Sequence, residues 1–99
     1  MSTDYSKMSD FEINCEVAKA NKWSSKSFVH EIHSGKWNPC QNTADAWPII
    51  VEERIRLNPI LYTKWIAEDY LEDFSFTDIN PLRAAMIVFL MMQESKNAS

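Results

Sequence analysis

Glycine is nearly missing from this chain. Of 99 residues one is glycine, Gly35, where about 7% is usual. That excludes GxGxxG and Walker-type phosphate loops, which need several glycines for the backbone to approach phosphate. It also excludes collagen-like and flexible-linker chains. Positive charge is short as well: 10 Lys and Arg against 14 Asp and Glu give −4 at pH 7. No window is strongly basic, so direct nucleic-acid binding is not expected. The longest apolar run, Ala84–Met92, has nine residues, less than half of a membrane-crossing helix. Residues Met1–Lys7 are polar and unlike a signal peptide. Two cysteines, Cys15 and Cys40, read as free thiols of a reducing compartment, and the expectation is a cytoplasmic protein without membrane attachment.

What is present fits one folded domain over residues 1–99, with 1–7 and 94–99 expected to fray. Hydrophobic residues are 45% and charged residues 24%, ordinary for a packed domain. Ser9-Asp10-Phe11-Glu12 has the pattern of a capping box. Behind it run two apolar ladders, Phe11-Cys15-Ala18 and Ile13-Val17-Ala20, which predict a helix ending near Asn21. Ser27–His33 alternates, with Phe28, His30 and Ile32 on one face, and reads as a strand. Gly35 then opens a turn-rich stretch through Asn42. A second helix is expected from about Thr43 to Arg54, with Ala44, Trp47, Ile50, Val51 and Ile55 as its buried stripe. Pro48 leaves its start open between caps at Thr43 and Asp45.

Residues 60–77 carry both patterns. Tyr62, Ile66, Tyr70 and Phe74 have helical spacing, yet strand formers dominate and Phe74–Thr77 alternates. The reading adopted is two strands joined by an acidic turn. The last helix is marked by Asn80 as cap and Pro81 at the first helical position. From Leu82 to Met92 ten of eleven residues are apolar, Arg83 being the sole charge. Such a helix is either the buried centre of the fold or a self-association face, and a homodimer through Leu82–Met92 satisfies both. The expected fold class is α+β, a short antiparallel sheet of about three strands packed with three helices.

Three sets of residues carry more than element signals. Tyr5–Asn14, Asn38-Pro39-Cys40, Ala44–Ile50 and Asn80–Met86 resemble recurrent segments of a NinX-like family of small proteins from lambdoid phages and prophages. The resemblance implies a phage-encoded cytoplasmic protein with a phage α-β-α sandwich and carries over no catalytic residue. A second set is acidic: between Trp65 and Leu82 stand Glu68, Asp69, Glu72, Asp73 and Asp78 without a base. This is either a solvated edge or a surface for a basic partner. The third is aromatic. Trp47 and Trp65 read as core. Trp37, beside Asn38 and Pro39, reads as a loop residue folded over the sheet or as an exposed anchor for a partner.

Chemical sites are thinly supported. His30 and His33, three apart on a strand, would face opposite ways and could not share a metal ion, so no metal or cofactor is expected. The best nucleophilic trio is Cys40, His30 or His33 as base, and Asp45 to orient it, without a surrounding signature. The expectation is therefore a non-enzymatic accessory protein that binds a host or phage protein, with inhibition of a host defence or nucleic-acid enzyme as one form that binding takes. Its expected contact residues are Trp37, Asn38, Asp45, Glu68, Asp69, Glu72, Asp73 and Arg83. The alternatives are a small-molecule or nucleotide module lined by Trp37, Asn38 and Asp45, and a Cys/His enzyme.

Overall fold

The computed structural model describes residues 4–20 and 32–97. A 3-10 turn at Tyr5–Lys7 leads into α1, Asp10–Ala20; α2 spans Thr43–Glu53 and α3 spans Pro81–Asn97. Between α2 and α3 run β1 (Arg56–Ile60), β2 (Lys64–Glu68) and β3 (Ser75–Asp78). They form one antiparallel sheet in the order β1-β2-β3, so the fold is α+β as expected.

The capping box closes α1 as the sequence dictates. The Ser9 N–H donates to Glu12 Oε1 at 2.9 Å, and the Glu12 N–H donates to Ser9 Oγ at 3.1 Å. Ile13, Val17 and Ala18 face inward with Asn14, while Phe11 stays exposed and its ring meets His33 at 4.9 Å. The strand expected over Ser27–His33 is corrected where it can be seen. Residues 27–31 lie outside the described residues, and Ile32–Ser34 are helical. Gly35 ends that turn with φ +80°, its N–H donating to the Ile32 carbonyl at 3.2 Å.

Asn42 caps α2, its Oδ1 accepting the Ala44 N–H at 2.9 Å, so the helix starts early and Pro48 lies inside it. Its end is a Schellman closure: the Ile55 N–H reaches the Ile50 carbonyl at 3.0 Å and the Arg54 N–H reaches Val51 at 3.3 Å. Arg54 takes the left-handed conformation there, φ 56°, where glycine is usual. The buried stripe is Ala46, Ile49, Ile50 and Ile55; Ile50 and Ile55 are where they were expected, and Ala46 and Ile49 replace Ala44, Trp47 and Val51. Trp47 is 56% exposed and Val51 lies beside it in solvent.

The first strand of the sheet is β1, which the sequence reading missed. Pro59 argues against an interior strand, and β1 accommodates it by lying at the sheet edge. The register places Leu57, Ala67 and Phe76 in one cross-strand row, on the face that packs against α3. Arg56, Lys64, Ser75 and Thr77 point to the other face and are exposed.

Everything packs on α3. It lies against α1, α2 and all three strands, and Ala84–Leu90 are all buried. Those seven side chains are used inside the chain. A self-association face on this helix is left with Leu82, Met91 and Met92, which are partly buried against the same core. The ends expected to fray meet across the fold: Tyr5 is buried and its hydroxyl donates to Glu94 at 2.5 Å. Among the described residues no helix is long and apolar enough to cross a membrane.

Candidate functional site

Two regions carry the polar chemistry. The first is organised by Arg83, in the first turn of α3. Asn80 caps that turn, its Oδ1 accepting the Leu82 and Arg83 N–H groups at 2.9 and 3.3 Å. This points the guanidinium back toward the 3-10 turn and α1. Nη1 donates to Asp10 Oδ1 at 2.8 Å and Nε to Asp78 Oδ2 at 3.1 Å. Nη2 donates to the Met8 and Tyr5 carbonyls at 2.6 and 3.4 Å. The side chain is 14% exposed, so its donors are spent within the chain rather than offered to a partner.

The tie continues through amides. Asn14 is buried; its Nδ2 donates to Asn38 Oδ1 at 2.8 Å and its Oδ1 accepts the Cys40 N–H at 3.3 Å. Asn80 Nδ2 donates to the Cys40 carbonyl at 2.7 Å, and Asp45 accepts the Asn38 N–H at 2.9 Å. Trp37 is 8% exposed and belongs to the core. Trp37 is thus a loop residue folded into the core and not a solvent-facing anchor, while Asn38, Asp45 and Arg83 make hydrogen bonds within the chain. Asn14 holds the loop to α1 and Asn80 holds it to α3, while Arg83 ties α3 to α1 and the 3-10 turn.

Among the described residues the nucleophilic trio is not assembled. Cys40 is fully buried, and burial pushes its thiol up to about 12, reinforced by the negative charge of Asp10. Asp45 faces the Asn38 backbone, His33 sits exposed against Phe11, and His30 lies outside the described residues.

The second region is the acidic β2–β3 turn. Asp69 is 3% exposed and builds the turn: its Oδ1 accepts the Phe74 N–H at 2.9 Å, and its backbone exchanges bonds with Phe74 and Glu72. Glu72 adopts φ 61° and pairs with Arg56 at 3.4 Å, while Arg56 Nη2 donates to the Tyr70 carbonyl at 3.3 Å. Asp69 is therefore a turn-building acid rather than a surface one, whereas Asp73 is exposed and Glu68 partly so. The locked turn holds Tyr70 and Leu71 in solvent, the latter 62% exposed. Beside it lies an open cleft of about 600 Å³, walled by the end of α2, the turn and the last turns of α3.

Tyr70 and Leu71 were not among the expected contact residues. The signal was present, since two large apolar residues stand inside an otherwise acidic segment. The helical spacing of Tyr70 with Ile66 and Phe74 concealed it.

All four segments that carry the sequence resemblance contribute to the Arg83 tie: Tyr5, Met8, Asp10 and Asn14; Asn38 and Cys40; Asp45; Asn80 and Arg83. Residues 4–93 match the family model described as Bacteriophage P22, NinX. No curated protein and no solved structure matches the chain.

Proposed function

Because the chain belongs to the bacteriophage P22 NinX family, we propose that it is a phage accessory protein that acts in the host cytoplasm by binding another protein, without catalysis of its own. The observation that carries this reading is the β2–β3 turn. Tyr70 and Leu71 are exposed on a backbone fixed by Asp69, Arg56 and Glu72. A rigid turn loses little entropy on binding, and large apolar groups at a fixed place are what interface hot spots require. Glu68, Glu72 and Asp73 surround them with negative charge, which suits a host or phage protein with a basic rim. A defence or nucleic-acid enzyme has such a rim where it meets phosphate.

Affinity capture from infected cells tests the reading when run with two variants. Wild type and Tyr62→Ser should recover the same partner, and Leu71→Asp should lose it. Recovery of no specific partner, or equal recovery by all three proteins, rejects the reading. The about 600 Å³ cleft beside the turn favours a second reading, a small-molecule module. A melting temperature that no nucleotide or metabolite raises counts against it.

A further inference from the structure

We propose that β3 is an open docking edge for a second copy of this chain, which pairs with it through its own β3 about a two-fold axis at Phe76. The ladder fixes which backbone groups are free. The Asp69 N–H donates to the Phe74 carbonyl at 3.2 Å, and backbone groups alternate sides along a strand. Phe76 and Asp78 therefore turn theirs toward Ala67 and Trp65 of β2, while Ser75 and Thr77 turn theirs away from the sheet. Among the described residues no hydrogen bond reaches these outward N–H and C=O groups, and both residues are exposed. The same alternation gives the outward positions of β1 to Leu57 and Pro59. Pro59 has no N–H to offer, and its ring blunts that edge against strand addition. β3 carries no proline, no lysine and no bulge.

The occupant follows from the register. An antiparallel copy centred on Phe76 sets Ser75 opposite Thr77 on both sides of the axis. Each outward N–H then meets an outward C=O, and all the free groups of the edge close on one another. Phe76 faces its own counterpart across a non-hydrogen-bonded pair, where side chains come closest. Its ring is half-buried on the α3 face, and an aromatic pair there covers the remaining rim. No like charges meet: Phe74 lies opposite Asp78, and Asp73 lies opposite Ile79, which is 69% exposed. Centring the pair on Ser75 would set Glu72 against Asp78. Centring it on Thr77 would leave Ser75 opposite Ile79, beyond the end of the strand.

Strands of four residues make a small interface, so the dimer is weak, with a dissociation constant of about 0.1 mM. The test is sedimentation equilibrium of the full chain between about 10 µM and about 1 mM, combined with amide hydrogen exchange over the same range. The mass should rise toward that of a dimer. The Ser75 and Thr77 amides should exchange about fourfold more slowly at the higher concentration, while the outward Leu57 amide on β1 keeps its rate. Ser75→Lys combined with Thr77→Lys sets lysine opposite lysine on the exposed face, and this variant should sediment as a monomer at an unchanged melting temperature. Ser75→Glu combined with Thr77→Glu should also be monomeric, and an equimolar mixture of the two double variants should associate again. A wild-type chain that stays monomeric at about 1 mM, association that survives the two lysines, or a mixture that fails to associate overturns the proposal. Equal slowing of the Leu57 amide places the contact elsewhere and overturns it as well.

Discussion

The Arg83 tie and the β2–β3 turn use the same kinds of side chain in opposite ways. In the tie, Asp10, Asp78, Asn14, Asn38 and Asn80 turn inward, and their hydrogen bonds fasten the 3-10 turn, α1, the loop and α3 to one another. In the turn, one acid, Asp69, is buried to fix the backbone, and the apolar residues are the ones left outside. The tie holds polar groups where a core would hold aliphatic ones; the turn displays aliphatic and aromatic groups where a surface would be polar. An inward polar network contributes mainly to specifying one arrangement of elements. An outward apolar pair contributes little to folding.

Substitutions should separate the two regions. Arg83→Met is expected to have the largest effect on stability, about 3 kcal/mol by urea denaturation, because it leaves two partly buried carboxylates and two carbonyls without their donor. Asn14→Ala should cost about 2 kcal/mol by orphaning the Cys40 N–H in the core. A loss below about 0.5 kcal/mol in either variant would break the contrast. Arg54→Gly should act in the other direction, raising stability by up to about 1 kcal/mol by relieving a left-handed non-glycine residue. Leu71→Asp should change stability by less than about 0.5 kcal/mol while abolishing partner capture.

Protonation sharpens the comparison from the α1 side. The backbone and hydroxyl bonds from Ser9 hold the Glu12 carboxyl below its ordinary value. A lowered folded pKa means that this contribution is present above the unfolded value and is lost as pH falls through the folded one. NMR titration should show Glu12 rising only part of the way toward its ordinary value in Ser9→Ala, which removes the hydroxyl bond and keeps the larger one from the backbone N–H. Cys40 behaves inversely. Its raised thiol keeps its stabilising share below the unfolded value near 8.5 and loses it as pH climbs toward about 12. Thiol reagents at pH 8 should reach Cys40 only after denaturation.

What the sequence made legible follows from where local chemistry decides. The Ser9–Glu12 box, the Asn80-Pro81 start and the buried run of α3 depend on neighbours in sequence, and all three are in place. The tryptophans in α2 and the loop depend on tertiary fit, and there the reading failed for Trp47 and stood open for Trp37. Trp37 went in and Trp47 stayed out. The side of α2 that faces the core carries Ala46 and Ile49, and small Ala84 and Ala85 are buried in α3 against which it lies. Close helix approach favours small side chains over the largest one. β1 was hidden because Pro59 is tolerated only at an edge, and edge position is a property of the assembled sheet. Arg83 was hidden because its partners other than Asp78, namely Asp10 and the Tyr5 and Met8 carbonyls, lie more than 70 positions away along the chain.

That last separation bears on how the protein comes into being during synthesis. The helix on which α1, α2 and the sheet all rest is the last of the described elements to leave the ribosome. Before it emerges, Ile13, Val17, Ile49 and Ala67 have no surface to close on, and long-range closure of this kind is slow and exposes apolar segments. Nascent chains stopped short of residue 81 should therefore stay open to protease, while those that have released α3 snap into a resistant form.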